Sequence, residues 1–354
     1  FLNRLQLRVG RISNLLNPGT YVILNLAVVA LLYTGAIRVN AGALTQGQLV
    51  ALYNYMSQIL VELIKFANLI ITMTKAAACG NRIQDVFSVQ PGQISGTCRP
   101  KGELRGQVEF RHAAITYQKA GAEALSDVSF LARPGQTVGI IGGTGSGKST
   151  LVNLIPRFYD ATRGQVLVDG VDVQDWDMEA LRRRIAVVPQ KAVLFRGTIR
   201  SNLLWGREDA TQAELQAALS VAQAMEIVQG KEQGMDAVVE QGGRNLSGGQ
   251  RQRLTIARAL VRQPEILILD DSASALDYAT DARLRAAIGA LENPPTTFVV
   301  SQRAASIRTA DWILVLDDGR VVGQGTHEAL LRTCEVYQEI YYSQFQKEVE
   351  RRVP

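Results

Sequence analysis

The run GGTGSGKST, Gly142 to Thr150, constrains this chain more than any other stretch. It matches G-x-x-x-x-G-K-[ST], with the strand pattern TVGII leading in and the helical pattern LVNLIPRF leading out. That order commits the surrounding residues to an α/β layout in which a turn must receive an anion. Gly142, Gly143, Thr144, Gly145, Ser146 and Gly147 allow successive backbone N–H groups to converge on phosphate oxygens. Lys148 adds a mobile positive charge, Ser149 offers a hydroxyl to Mg²⁺, and Thr150 closes the motif at a helix start that favours anions. A purely structural glycine turn has no need of Lys148 and Ser149.

The front of the chain is different in kind. No Asp or Glu precedes Glu62, and Arg4, Arg8, Arg11 and Arg38 are the only charges there. Tyr21 to Ile37 is uncharged; extended back to Leu15 it gives about 34 Å of helix, enough to cross a hydrocarbon core of about 30 Å. A second apolar helical run covers Leu49 to Met73, and Gly42 to Gly47 joins the two as a hairpin. Pro18 is expected to bend the entry to the first span. Arg4, Arg8 and Arg11 before the first span, with Lys75 and Arg82 after the second, place both outer flanks in the cytoplasm. A buried hairpin of a soluble protein is the rival reading. Glu62 and Lys65, three apart on one helix, are placed to pair; they either line a polar path or face another helix.

The helical pattern continues to Phe87 and is broken by Pro91, Gly92 and Gly96. Strands are expected at Gln107–His112, Gln136–Ile141, Gln165–Val168, Ile185–Val188, Ile266–Leu269 and Thr297–Val300, with a hairpin turn at Asp169-Gly170. The predicted division is a truncated transmembrane segment over 1–88, a linker over 89–104, a nucleotide-binding domain over 105–345 and a tail over 346–354. The expected fold is two transmembrane helices, then an α/β P-loop domain with an antiparallel β subdomain and a helical subdomain near 191–245. Because the chain opens on Phe1 and not on methionine, it is expected to be a piece of something longer.

The net charge of +5 is scattered, with no basic tract interleaved with aromatics, so no nucleic-acid partner is expected. Cys79, Cys98 and Cys334 have no metal-ligand spacing and fit a reducing compartment. His112 and His327 share no site, and His327 reads as a helix-start residue.

Two further runs carry chemistry. ILILDD, Ile266 to Asp271, is a buried strand delivering Asp270 where a carboxylate reaches Mg²⁺. NLSGGQR, Asn245 to Arg251, opens a helix. With the phosphate loop, these runs resemble the C-terminal part of an ABC exporter subunit, over nearly the whole chain. LSGGQ is the most specific marker, since the phosphate loop alone is shared with many NTPases. The resemblance implies that Ser247, Gly248, Gly249 and Gln250 contact the ATP of a second exporter subunit, as a helix start with unpaired N–H groups can. It also implies that Tyr117 stacks on adenine, that Gln190 in VVPQ joins the Mg²⁺ shell, and that Glu240 in VEQGG faces the coupling helices. Ser274 to Asp277 then cross the dimer interface.

The chain departs from that pattern twice. Asp271 stands where the family carries glutamate, and Gln302 where it carries histidine. A group acting on the attacking water contributes about 10²- to 10⁴-fold. Loss of one methylene withdraws the carboxylate by up to about 1.5 Å, and a misplacement of about 1 Å costs about 10²-fold. A neutral amide at residue 302 cannot carry imidazolium charge. ATP and Mg²⁺ are therefore expected to bind well at this site and to turn over poorly. An identical pair of such chains would hold two impaired sites, so the expectation is a non-identical partner whose ATP meets the intact signature here. The expected setting is the cell membrane, multi-pass, as in multidrug-type heterodimeric exporters, with the transported substrate not legible. Alternatives are a homodimer that uses Asp271 as base, a nucleotide-gated membrane protein, and a soluble ABC ATPase acting on DNA or ribosomes, which the two apolar runs disfavour.

Overall fold

The computed structural model describes residues 2–89, 92–100, 105–117 and 121–350, with side chains described between 18 and 345. Two compact units divide the chain, Phe1–Gly92 and Gln93–Pro354.

The first unit is a pair of helices, α1 (Leu2–Asn40) and α2 (Gln46–Ser88). At 39 and 43 residues both exceed the roughly 20 needed to cross a bilayer core. Helix α1 runs unbroken through Pro18, which removes one i→i−4 bond without ending the helix. Its C-terminus closes with Gly42 in the left-handed region, the Ala43 N–H on Arg38 O and the Gly42 N–H on Val39 O. Thr45 then starts α2 through a reciprocal capping box with Gln48. Gly35 lets the helices approach, since a Cβ there would lie 2.1 Å from Leu49 Cδ1. No described side chain of α2 is buried, and Tyr21, Leu26, Ile59 and Phe66 stand exposed. Glu62 and Lys65 pair at 2.7 Å, as their spacing predicts.

The second unit begins with a strap. The Cys98 N–H bonds Asp175 O at 2.9 Å, Cys98 O accepts from the Asp177 N–H at 2.8 Å, and Ser95 Oγ accepts from the Met178 N–H at 3.0 Å. Part of the stretch expected as a linker is thus held against the fold, and residues 90–91 and 101–104, including Pro91, lie outside the described ones. Strands β1 (Val108–Ile115) and β2 (Leu125–Ala132) come next, then β3 (Thr137–Gly142) and α3 (Lys148–Leu154). The chain continues through β4 (Arg163–Val168), β5 (Val171–Asp172), α4 (Met178–Arg184) and β6 (Ile185–Val188). A mostly helical insertion holds β7 (Gly197–Thr198), α5 (Ile199–Leu204), α6 (Gln212–Val221), α7 (Met225–Gln229), β8 (Val238–Val239) and the start of α8 (Gly248–Val261). The remainder is β9 (Ile266–Asp270), α9 (Tyr278–Gly289), β10 (Thr296–Val300), α10 (Ala304–Ile307), β11 (Trp312–Asp317), β12 (Arg320–Gly325), α11 (His327–Thr333) and α12 (Glu335–Glu350).

Strands pair in the order β2-β1-β4-β5 in an antiparallel sheet and β12-β11-β3-β10-β9-β6 in a second sheet, parallel except for β12. The parallel strands are near-continuous apolar runs because both faces are covered. Alternation assigns each residue to one of two cores. Ile266, Ile268, Phe298, Val300, Leu314 and Leu316 join the core shared with Phe110, Phe130 and Leu151. Leu267, Leu269, Val299, Ile313 and Val315 join the core shared with Leu219, Leu254 and Tyr337.

The expected strands are present, with β1 longer than read. Strands β2, β11 and β12 were not expected, nor were the short pair β7 and β8 inside the stretch read as helical, while β5 is the far arm of the expected turn. Strand β2 contains Asp127 in the left-handed region and a register shift, which interrupts its alternation. The Asp169-Gly170 turn pairs Val168 with Val171 as expected. Helix α12 runs to Glu350 through most of the stretch read as a tail, and 351–354 lie outside the described residues.

Candidate nucleotide site

Strands β3, β6, β9 and β10 are parallel neighbours, so the loops leaving their C-terminal ends emerge on one edge, where open α/β sheets place ligands. Val300 lies beside both Ile140 and Asp270, and Val188 beside Leu269. A cleft of about 480 Å³ forms there, lined by Tyr117, Thr144, Gly145, Gly147, Lys148, Ser149, Thr150, Gln190, Asp270, Asp271 and Gln302 among others. Residues spread over nearly two hundred positions meet in one cavity.

Two glycines of the phosphate loop leave no room for a side chain, whereas Gly143 and Gly145 face open space. A Cβ on Gly142 would stand 2.1 Å from Leu316 O, and one on Gly147, at φ 94°, 2.8 Å from Ala124 O. Lys148 Nζ donates to Gly142 O at 2.9 Å, Gly143 O at 2.5 Å and Ser146 Oγ at 3.3 Å, so the ammonium is held inside the loop it serves. Burial lowers its pKa, against the opposing charges of Asp271 and Asp270.

Asp270 ends β9 and Asp271 follows it. Ser149 Oγ donates to Asp270 Oδ1 at 3.0 Å. Burial pushes the Asp270 carboxyl up; the Ser149 hydrogen bond opposes this, and the neighbouring Asp271 charge adds to it. Asp271 also rises through burial, opposed by Gln190, whose Nε2 donates to Asp271 Oδ2 at 3.0 Å. Its backbone is left-handed at φ 45°, a conformation Asp tolerates better than most residues. Ser149, Asp270 and Gln190 thus offer hard oxygen atoms at one end of the cleft, a donor set suited to Mg²⁺.

Tyr117 OH donates to Thr150 Oγ1 at 3.0 Å, and its ring meets Tyr159 edge-on at 5.0 Å, which fixes the plane it presents. Gln302 lies on the opposite side of the sequence, just past β10, and is exposed. Six lining residues had not been anticipated as part of the site: Glu123, Ala124, Val300, Ser301, Asp318 and Gly319. Asp318-Gly319 is the β11–β12 turn, and Gly319 N–H reaches Ser146 O at 3.3 Å. The Asp-Gly dipeptide between apolar runs was the available signal; Glu123 and Ala124 carried none.

Ser247 to Gln250 do not line this cleft. Ser247 is the N-cap of α8, with the Gln250 N–H on Ser247 Oγ at 3.3 Å and the Ser247 N–H on Gln250 Oε1 at 3.0 Å. The side chain of Gln250 is therefore engaged in holding the helix start. Gly248 and Gly249 open the first turn, whose N–H groups have no partner within the helix. Asn245 Nδ2 donates to Val238 O and Asn245 Oδ1 accepts from the Glu240 N–H, fixing the loop that bears Glu240. Ser274 Oγ bonds Asp271 O, and Asp277 caps α9.

The family profile described as ABC transporter matches residues 125–274, from β2 through the phosphate loop and signature to just beyond Asp271. This is an ABC transporter ATP-binding domain. The ABC ATPase domain and the helices before it are homologous to ABC exporters. The chain is 42% identical over 332 residues to the uncharacterized ABC transporter ATP-binding protein YfiB of Bacillus subtilis, covering 94% of this chain and 57% of that protein. It is 35% identical over 326 residues to the ATP-dependent lipid A-core flippase of Chromobacterium violaceum, covering 92% of this chain and 56% of that one. The structure of a bacterial Atm1-family ABC exporter with ATP bound superposes with a TM-score of 0.82 at 33% identity, over 94% of this chain and 58% of that chain. The chain thus spans a little under three fifths of these relatives' length.

Proposed function

We propose that this chain is the ATP-binding and membrane-spanning part of an ABC exporter subunit that couples ATP binding and hydrolysis to efflux. Its division is a helical membrane segment to about residue 88, a linker to 104 and the ATPase domain beyond, with the domain on the cytoplasmic side. Its own phosphate-loop site holds ATP: Lys148 and the backbone of Gly142 to Gly147 bind phosphates, and Tyr117 with Thr150 presents a ring to adenine. Mg²⁺ would be held by Ser149, Asp270 and Gln190, and when bound it neutralises charge on the β- and γ-phosphates. The same site hydrolyses slowly. Asp271 is short and tied to Gln190, and Gln302 offers an uncharged amide. The signature at Ser247 to Gln250 faces the ATP of a second, non-identical subunit and completes a competent site there.

The observation that carries this reading is the composition of the cleft. Tyr117, Gly145, Gly147, Lys148, Ser149, Gln190 and Asp270 line it, as do Asp271 and Gln302 at the two positions read as acting on water, and the signature lies elsewhere. The relatives include a flippase for lipid A-core, which makes an amphipathic lipid the first substrate class to try. ATP turnover of the complete transporter, compared with this subunit alone in the same lipid, tests the reading. The expected result is fast turnover only with the partner present; equal turnover by this subunit alone sinks it.

A further inference from the structure

Helix α12 reaches back to the site from the far end of the chain. Gln344 Nε2 donates to Gln302 O at 2.7 Å, and Gln344 Oε1 accepts from the Ala304 N–H at 2.8 Å. One amide therefore grips the loop leaving β10 on both sides of Arg303. Arg303 points the other way: its guanidinium donates to Ser274 O at 3.1 Å, Leu276 O at 3.3 Å and Ala273 O at 3.4 Å, and lies 5.4 Å from the centre of the Tyr278 ring. The strand-end loop is thus tied to α12 on one side and to residues 273–276 on the other. Helix α12 is itself anchored, with Tyr337 fully buried and in the same core as Ala304 and Ile307.

We propose that Gln344 is a positioning residue for the nucleotide cleft, holding the Gln302 backbone so that its side chain meets the terminal phosphate of bound ATP. This rests on the site reading above and adds to it that Gln302, which lines the same cleft as Gly145 and Lys148, faces that phosphate. Without Gln344, Gln302 O and the Ala304 N–H lose their shared partner, while the loop keeps the Arg303 tie, the bond from the Arg303 N–H to Ser301 Oγ and that from the Ser301 N–H to Ile140 O. The consequence is confined to nucleotides that carry a third phosphate. ADP, held by the phosphate loop, does not touch residue 302.

The test uses the complete transporter in lipid nanodiscs, with radiolabelled azido-ATP and azido-ADP photolinked after timed chase and counted on this subunit. Gln344→Ala shortens retention of the triphosphate by about tenfold, the effect of weakening one hydrogen bond to a charged group, and leaves the diphosphate unchanged. Hydrogen–deuterium exchange speeds up over 301–307 and stays constant over 142–150. Gln338→Ala serves as control, since it removes a bond from the same helix to Leu331 O and touches no cleft residue; it lowers thermal stability without either effect. Equal loss of triphosphate and diphosphate, no loss of either, or exchange over 301–307 matching that of Gln338→Ala overturns the inference. The slow-site reading is judged separately, by whether Asp271→Glu with Gln302→His raises hydrolysis.

Discussion

The nucleotide cleft and the helical corner that bears the signature use the same chemical parts in opposite ways. In the cleft, burial pushes the carboxyls of Asp270 and Asp271 up and the Lys148 ammonium down. Each charge there is held at a cost that a bound cation or phosphate would relieve. In the helical insertion, Glu214 pairs with Arg207 and accepts from the Thr211 N–H at 2.8 Å, and its pKa falls to about 2. Ser247 and Gln250 close the same kind of capping box at the head of α8. Opposed charges strained by burial meet in the cleft, whereas satisfied caps hold the helix start at Ser247; strain alone does not separate the halves, since burial also lowers Arg258 of α8.

The sharpest way to break this contrast is Lys148→Ala. Equilibrium binding of ATP to this subunit should weaken by at least about 10²-fold, since a buried charge-assisted contact to phosphate is lost. Unchanged affinity would mean the strained cleft is not where nucleotide binds. Next comes the pair Asp271→Glu with Gln302→His, expected to raise single-turnover hydrolysis on this subunit by about 10²-fold. No rise would locate the slow step elsewhere.

Ser247→Ala probes the other half. It should cost about 1 kcal/mol of domain stability through the lost cap and lower turnover of the complete transporter. Retention of ATP on this subunit should stay the same, because Ser247 is outside its cleft; a fall in retention would join the two halves within one chain. The smallest effect concerns pH. A carboxyl lowered from 4.5 to about 2 on folding adds stability that is complete above about pH 4.5 and is lost as pH falls towards about 2. Glu214→Gln should flatten that part of the stability curve, read from denaturant midpoints across it, and leave nucleotide binding unaltered.

Much of the site could be read from the chain alone because its motifs are local. A glycine loop ending in Lys148 and Ser149, and a buried strand delivering Asp270 and Asp271, each occupy a few consecutive residues whose chemistry depends little on distant neighbours. The same holds for the helix start at Ser247, for the Asp169-Gly170 turn and for the Glu62–Lys65 pair, which helix spacing alone brings to 2.7 Å. What escaped was whatever depends on a partner far along the chain. Gln344 looks like any polar residue of an amphipathic helix until α12 folds against the loop at Gln302. Gly96 is a linker glycine until the strap brings Asp175 O to 2.1 Å from where its Cβ would stand.

The amino-acid order by itself determined the glycine loop ending in Lys148 and Ser149, the paired carboxylates, the helix start at Ser247 and the identities of Asp271 and Gln302, since residue identity and short spacing suffice to specify them. Only the tertiary structure decided that Gln190, Asp271, Lys148 and Gln302 share one cavity while Ser247 stands outside it. Convergence follows from the parallel pairing of β6, β9, β10 and β3, a hydrogen-bonded order among strands remote in sequence that no local pattern encodes.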